Sequence, residues 1–185
     1  MTELAKDLLA WFENNGRKNL PWQSSPPNIY HIWLSEIMLQ QTQVITVIDY
    51  FNNFIASFPD IATLAKADED KVMAAWAGLG YYSRARNLHK TAKMINSEYG
   101  NILPTNFDQI LSLPGIGPST AGAILSLGSN LEVPILDGNV KRVLARYHRV
   151  KGHYSKPSVM KELWRLAALN TPQTKNAKYT QAIMD

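Results

Sequence analysis

The sequence predicts an all-α protein, and three observations support that prediction. Apolar residues recur every three or four positions along most of the 185 residues, which is the period of a helix that buries one face. Glycine, proline and asparagine interrupt this pattern at the spacing typical of helix ends. Only Val133-Pro134-Ile135 could be extended, and its proline argues against a strand that pairs on both sides.

The predicted helices follow one another along the chain. The first ends at Asn14-Asn15-Gly16 and has an apolar face made of Leu4, Leu8, Leu9, Trp11 and Phe12. A proline-containing loop over 20–27 comes next. The pattern then predicts helices at 32–41, 44–55, 60–66, 68–77, 84–99, 107–113, 119–127, 140–150, 159–170 and 177–185.

Composition limits the size of the core and the kind of partner. Hydrophobic residues make up 45% of the chain, enough for one compact domain or two small ones. The net charge of +4 permits an acidic partner without requiring one. One basic group spans 141–151, and a second consists of Arg84, Arg86, His89 and Lys90. Taken alone, such groups are interpreted as solvated helix faces.

The absence of cysteine excludes disulfides and thiolate metal sites within this chain. The N-terminus lacks the layout of a signal peptide, and no apolar run reaches transmembrane length. We therefore expect a soluble intracellular protein, cytoplasmic or nucleoid-associated and of bacterial type, that works as a monomer away from membranes.

Two carboxylates lie in unusual settings. On a helix, Glu36 has Ile32, Trp33, Leu39 and Gln40 as neighbours, and so apolar a face should raise its pKa. Asp137 directly precedes a helix, where free N–H groups and the helix dipole should favour its anionic form. One protonated and one ionised carboxyl group suit bond cleavage through a positively charged transition state.

A turn with two glycines, 113–117, separates two predicted helices. Its glycines allow positive φ and a close approach to a ligand, and Pro118 fits the first turn of the next helix. Free N–H groups at that helix start, with Ser119 and Thr120 nearby, suit an anion such as a phosphate. An ordinary helix–helix turn is the alternative. A Walker loop and a Rossmann fingerprint are both disfavoured, because the further residues that each motif needs are missing.

These motifs together resemble a known family. The turn at 113–117 followed by 135–140 is similar to the helix-hairpin-helix, Gly/Pro-rich loop and aspartate signature of base-excision DNA glycosylases. Within that superfamily the chain resembles the adenine DNA glycosylase (MutY-like) branch, on the residues of four further segments: 20–22, 35–43, 78–89 and 119–127. The resemblance runs from about residue 4 to residue 185.

The resemblance implies hydrolytic removal of adenine from duplex DNA in which it is mispaired with 8-oxoguanine or guanine. Glu36 matches the catalytic acid, Asp137 the carboxylate that stabilises the sugar cation, and Asn139 a residue that orients this aspartate. The other matches are the adenine pocket (Arg17, Lys18, Trp22, Gln181), a wedge at the lesion (Gln40, Gln41, Tyr81) and the DNA phosphate contacts (Leu113, Gly115, Gly117, Ser119, Thr120, Lys141, Arg142). Trp22 and Tyr81 could equally be core aromatics.

Ser119 stands where strand-nicking relatives carry a lysine nucleophile. Because serine cannot form an imine with an abasic sugar, the resemblance implies a monofunctional enzyme in which water completes the reaction. Lys141 lies one helical turn after Asp137, and we expect it to trap a little imine adventitiously.

The resemblance also implies a two-lobed helix-hairpin-helix glycosylase fold. Its six-helix domain would span 23–132, and a second helical domain would combine 1–22 with 133–185. Longer members continue into four cysteines that bind a [4Fe-4S] cluster, and no such ligands occur here. We interpret the chain as C-terminally truncated, and therefore expect Ile183 and Met184 to be partly exposed.

Three alternatives stay open on the sequence. The chain could be another mismatch-specific glycosylase of the same fold, against which Glu36 and Gln40-Gln41 argue. It could be a truncated, inactive DNA-binding module. A helical protein–protein scaffold is a weaker alternative, which would lack salt-dependent DNA binding.

Overall fold

A computed structural model describes the whole chain, Met1–Asp185, and confirms the all-α prediction. Eleven helices account for the regular structure, and 133–135 forms no strand. None of the helices combines the length and the hydropathy needed to cross a membrane. Their bounds are α1 Glu3–Asn15, α2 Ile29–Met38, α3 Val44–Ser57, α4 Ile61–Lys66, α5 Glu69–Ala75, α6 Ser83–Glu98, α7 Phe107–Leu111, α8 Pro118–Ser129, α9 Gly138–Tyr147, α10 Pro157–Asn170 and α11 Asn176–Met184.

The chain divides into two compact units. The first, here the terminal unit, joins Met1–Lys18 to Pro118–Asp185, and the second, here the central unit, is Asn19–Gly117. The sequence-based division into 23–132 and the two ends differs from these units chiefly in α8. This helix packs against α11, and the hydroxyl groups of Ser126 and Thr180 lie 2.7 Å apart in that buried contact.

The terminal unit has a continuous apolar core. Thirteen of its residues, contributed by α1, α8, α9, α10, α11 and the segment before α9, are Leu4, Ala5, Leu9, Ala123, Ile135, Leu136, Val140, Leu144, Leu163, Leu166, Ala167, Tyr179 and Ile183. The expected exposure of Ile183 is wrong: the residue is 3% exposed, because α11 packs against α1, α8 and α9. Met184 is half-buried and packs against the same core.

Aromatic side chains dominate the core of the central unit. Trp33, Trp76, Phe51 and Phe54 are among its largest fully buried side chains. Phe54 meets Trp76 edge-on with ring centroids 5.9 Å apart. Trp22 joins this core through an edge contact with Phe51 at 5.4 Å and is 5% exposed. The structure thus gives Trp22 the core position that the sequence left open, and its role at an adenine pocket stays a prediction.

Candidate active site

Glu36 lies in the third turn of α2, in the central unit. Asn28 caps this helix by accepting hydrogen bonds from the N–H groups of Tyr30 and His31 at 3.0 and 3.2 Å. Ile32 and Trp33, one turn before Glu36, are 6% and 0% exposed, whereas Glu36 itself is half-buried. Glu36 is therefore flanked by buried apolar residues on α2, as the sequence predicts. The raised pKa expected from that face stays a prediction.

Asp137 caps α9 in the terminal unit. Its carboxylate accepts a hydrogen bond from the backbone N–H of Val140 at 2.8 Å, and its backbone is extended, as an N-cap requires. The predicted direction of its pKa shift is wrong. Burial raises the pKa of Asp137, and this outweighs the lowering by the N–H groups of Val140 and Asn139 and by Lys141 and Arg142. The N-cap thus holds a carboxylate whose charge is costly.

Asn139 uses its side chain elsewhere than on Asp137. Its Nδ2 donates to the carbonyl of Met184 at 2.8 Å, and its Oδ1 accepts from Arg142 at 2.6 Å. Only the backbone N–H of Asn139 acts on the Asp137 carboxylate. Asn139 therefore ties α9 to α11, and any orientation of Asp137 by its side chain would be indirect. Further along α9, the ammonium group of Lys141 lies 5.6 Å from the ring centroid of Tyr154.

The first turn of α8 carries Ser119 and Thr120, both half-buried. The Oγ of Ser119 accepts a hydrogen bond from the backbone N–H of Leu136 at 3.0 Å. This bond fixes the residue before Asp137 to the start of α8. Ser119 therefore has a structural partner close along the chain to one of the two candidate catalytic carboxylates.

The turn at 113–117 ends the central unit and is fastened to α6. Thr91 donates a hydrogen bond to the carbonyl of Pro114 at 2.9 Å. Gly115 has a φ of +80°, and a Cβ built there would lie 2.8 Å from the Cβ of Asn87. Gly117 differs, since a Cβ there would meet nothing within 4 Å. The backbone at Gly117 is thus open to an approaching group, whereas Gly115 is required by the fold.

The predicted wedge residues occupy two turns of the central unit. The first turn follows α2, which ends at Met38 rather than at Gln41, so Gln41 lies outside the helix with a φ of 57°. The second precedes α6, where Tyr81 has a φ of 48° and is 58% exposed. Gln41 is exposed and Gln40 half-buried. Tyr81 is therefore not a core aromatic.

Arg84 is the residue at these turns that the sequence analysis missed. The charge pattern predicts a solvated basic face here, yet Arg84 is 7% exposed and His89 2% exposed. Burial lowers the pKa of both side chains. The available signal was helical spacing, because Arg84 lies one turn before Leu88 and two turns before Ala92 on the buried face of α6. Arg86 and Lys90 are exposed, as predicted.

The remaining predicted pocket residues of the terminal unit belong to polar networks. The carboxylate of Asp185 accepts from the N–H of Arg17 at 2.8 Å, from its guanidinium at 2.7 and 3.0 Å, and from Nε2 of Gln181 at 3.0 Å. Lys18 and Lys178 both pair with Glu13. Arg17, Lys18 and Gln181 are therefore anchored at the ends of α1 and α11, while Trp22 belongs to the other unit.

Comparison with known proteins now identifies the family. Residues 34–168 match the HhH-GPD superfamily of base excision DNA repair proteins. The chain belongs to this superfamily. The match includes Glu36, Asp137 and the turn at 113–117, whose placement is described above.

Individual relatives agree with this assignment, and solved structures show the same fold. Over 96% of its length the chain is 48% identical to the adenine DNA glycosylase of Buchnera aphidicola subsp. Schizaphis graminum, and over its whole length it is 36% identical to that of Mus musculus. A thermostable thymine-DNA glycosylase shares the fold with a TM-score of 0.85 at 24% identity, covering 98% of this chain and 83% of that one. An endonuclease III–DNA complex follows with a TM-score of 0.80 at 17% identity, covering 98% and 81%.

The relatives are longer than this chain. The chain spans 51% of the Buchnera protein and 37% of the mouse protein. Nowhere in the structure do three His, Asp or Glu side chains come together to hold a metal ion. The [4Fe-4S] cluster that the resemblance implies for longer members needs thiolate ligands, and the chain has none. The residues present therefore do not fit that cluster.

Proposed function

We propose that this chain carries the catalytic machinery of a monofunctional DNA glycosylase that hydrolyses the N-glycosidic bond of adenine mispaired with 8-oxoguanine or guanine. The observation that carries the proposal is the setting of Asp137, a half-buried carboxylate held at the start of α9 by the N–H of Val140. Such a fixed negative charge is suited to stabilising a sugar cation. The choice of adenine is supported by the 48% identity to an adenine DNA glycosylase.

The two carboxyl groups have complementary roles in this reaction. Glu36, on its apolar helix face, donates a proton to the adenine ring and makes the base a better leaving group. The bond between the sugar C1′ and adenine breaks, and its electron pair leaves with the base. Asp137 stabilises the resulting oxocarbenium ion by its charge. Water then adds to C1′ and loses a proton, which leaves an abasic sugar and free adenine.

Ser119 supports a hydrolytic rather than a strand-nicking reaction. Its hydroxyl accepts a hydrogen bond from Leu136, and it offers no amine that could form an imine with C1′. Lys141 is the nearest amine along the chain to Asp137, but its ammonium lies against the ring of Tyr154. Both observations favour water as the nucleophile.

The DNA contacts of the proposal are the turn at Gly117, the first turn of α8 and the basic residues of α9. The exposed turn at Gly117 and the first turn of α8 bind phosphate through N–H groups, with Lys141 and Arg142 as cationic contacts. Gln41 and Tyr81 enter the base stack at the lesion, with Gln40 at the base of the first turn. Arg17, Lys18, Trp22 and Gln181 contribute to the adenine pocket by resemblance.

A single-turnover excision assay tests the proposal. The substrates are duplexes with adenine opposite 8-oxoguanine, adenine opposite guanine, and thymine opposite guanine. We expect release of adenine from the first two only. Glu36→Gln should lower the rate by roughly 10²–10⁴ with duplex affinity unchanged. The matched control is Glu98→Gln, an exposed glutamate in the last turn of α6, which should behave as wild type.

Each other outcome selects a different alternative. Release of thymine but not adenine would assign another mismatch specificity. Duplex binding without excision would identify the chain as a DNA-binding module. Wild-type rates in Glu36→Gln would remove Glu36 from the chemistry.

A further inference from the structure

Two residues of the central unit with exposed side chains have a positive φ, a backbone conformation that L residues rarely adopt. Gln41 has a φ of 57° and Tyr81 a φ of 48°. A positive φ is most unusual for a bulky residue such as tyrosine, and it persists only where the surrounding structure enforces it. Both turns must therefore be held by contacts other than their own local preferences.

One guanidinium group contacts both turns. Nη1 of Arg84 donates to the carbonyls of Ile37, Met38 and Gln40 at 3.1, 2.6 and 2.6 Å. Its Nη2 donates to the carbonyls of Leu79 and Gly80, each at 3.2 Å. The first set of carbonyls ends immediately before Gln41, and the second immediately before Tyr81.

Aromatic rings enclose the same group. The guanidinium carbon of Arg84 lies 5.5 Å from the ring centroid of Trp76 and 5.4 Å from that of Tyr81. Trp76 in turn donates from its Nε1 to the carbonyl of Gly80 at 3.2 Å, and the backbone N–H of Arg84 donates to the carbonyl of Tyr81 at 2.9 Å. The turn before α6 is thus fastened at three consecutive carbonyls, 79–81.

We propose that Arg84 is a positioning residue that fixes Gln41 and Tyr81 together in the geometry with which they enter the DNA base stack. The inference rests on the proposed function, which makes these two side chains the wedge. Arg84 itself is 7% exposed, so the proposal gives it no direct contact with DNA. It acts by ordering both turns before binding, so that little conformational freedom is lost when the wedge is inserted.

The geometry requires arginine rather than any cation. A guanidinium is planar and carries five donors in a fixed fork, so it can serve carbonyls on two sides at once. A lysine ammonium has three donors at one point and cannot span the two sets of carbonyls. Arg84→Lys therefore keeps the charge while releasing one of the two turns.

Fluorescence of 2-aminopurine placed opposite 8-oxoguanine measures insertion of the wedge. We use the full chain in a Glu36→Gln background, so that the base is extruded without being cut. Arg84→Lys should lower the extruded fraction roughly tenfold, since misplacement by an ångström can cost up to about a hundredfold. Affinity for undamaged duplex should stay unchanged. The matched control is Arg165→Lys, whose exposed arginine pairs with Glu162 on α10.

A double-variant cycle separates positioning from a general structural role. In a Gln41→Ala/Tyr81→Ala background, Arg84→Lys should cause no further loss of extrusion, because the residues through which it acts are gone. A further loss of the same size would overturn the proposal. If even the parent protein fails to extrude 2-aminopurine, the proposed function fails instead. Wild-type extrusion by Arg84→Lys would overturn the role of Arg84 alone.

Amide hydrogen exchange of the free wild-type protein gives a test that needs no variant to fold. Because one residue fastens both turns, amides in 39–42 and 79–82 should open together, with the same dependence on denaturant. Arg84→Lys should speed exchange in these two segments, with the aromatic core around Phe54 unaffected. Independent opening of the two segments in the wild type would overturn the proposal.

Discussion

The Oγ of Ser119 accepts a hydrogen bond from the backbone N–H of Leu136 at 3.0 Å. Leu136 is 3% exposed and directly precedes Asp137. The hydroxyl thus links the first turn of α8 to the entry of α9, and it does so at the position where strand-nicking relatives are expected to carry an amine. A substitution of Ser119 should therefore affect both the stability of the fold and the product of the reaction.

Replacing Ser119 by lysine should change both properties. The N–H of Leu136 would lose its acceptor, which costs about 1–3 kcal/mol for a buried donor. The new amine should produce some strand nicking and an adduct with the abasic sugar that borohydride traps. A denaturing gel before and after alkali treatment separates nicked from abasic product. Wild type should give abasic product only.

Two further variants divide these effects. Ser119→Ala should lose stability as Ser119→Lys does but show no nicking, and Ser119→Thr, which keeps a hydroxyl, should resemble wild type. Efficient nicking by the wild type would contradict the monofunctional proposal and point to Lys141. If Ser119→Ala melted at the wild-type temperature, the bond to Leu136 would have no weight in stability.

Asp137→Asn should stabilise the fold at neutral pH while slowing excision strongly. Burial raises the pKa of Asp137, so the folded state binds its proton more tightly than the unfolded chain does. Stability contributed by this group therefore falls as pH rises from about the ordinary value of 3.8 through the raised pKa, and the full penalty remains above it. Asparagine keeps an acceptor for the N–H of Val140 without the charge. The expected loss of rate is about 10²–10³.

Melting temperatures at acid and neutral pH check this sign. The advantage of Asp137→Asn should be present at pH 7 and vanish where the wild-type carboxyl is protonated. Asp60 provides a control of opposite sign. It caps α4 through the N–H of Thr63 at 2.7 Å, and this bond lowers its pKa. Asp60→Asn should therefore melt below wild type at pH 7, with the difference lost as pH falls. A lower melting temperature for both variants at pH 7 would contradict the argument.

The sequence was informative wherever structure follows from local periodicity. All the predicted helices are present, because an apolar face recurring every three or four residues is a property of neighbours in the chain. Gly115 and the cap at Asp137 were also predictable, since a turn and an N-cap are local motifs. These features include most of the backbone of the candidate site.

Contacts between distant segments were not predictable in the same way. α2 ends at Met38 while Arg84, about 45 positions later, binds its last carbonyls. The pKa of Asp137 rises because of burial, which depends on packing that no local motif specifies. The burial of Ile183 likewise depends on α1, α8 and α9. Arg84 has a local signal in its position on the apolar face of α6, but its charge alone predicts exposure.

Gly117→Val should weaken binding to any duplex with little effect on the fold. A Cβ at Gly117 meets no atom within 4 Å, so the free protein should tolerate it. A side chain there would block the approach of a phosphate, which carries no sequence information. The slope of the logarithm of the binding constant against the logarithm of the salt concentration should become shallower by about 1, which corresponds to one lost phosphate contact. Anisotropy titrations of labelled duplex at several salt concentrations give both quantities.

Gly115→Ala is the matched comparison for this experiment. Its Cβ would meet that of Asn87 at 2.8 Å, on backbone with a φ of +80°. We therefore expect a loss of about 1–3 kcal/mol in the free energy of unfolding. Equal losses of stability in the two variants would contradict the difference in free space between Gly115 and Gly117. Unchanged affinity for undamaged DNA in Gly117→Val would mean that the turn at 113–117 is only structural.

The ion pair between Asp185 and Arg17 should contribute more to stability than any other ion pair in the chain. The side chain of Asp185 is 2% exposed and accepts from Gln181 and from Arg17, which is 43% exposed, whereas Glu162 and Arg165 are both exposed, at 42% and 59%. Asp185→Ala removes the carboxylate that accepts from the N–H and the guanidinium of Arg17 and should cost roughly 1–3 kcal/mol. Glu162→Ala should have a much smaller effect on stability, because an exposed pair is well solvated. Urea unfolding measures the loss in the free energy of unfolding for each variant. The larger loss in Asp185→Ala should persist in 0.5 M salt, since screening acts mainly on the exposed pair. If both substitutions had equal effects, the ends of α1 and α11 would be held by the apolar core alone, and Asp185 would serve only to orient Gln181.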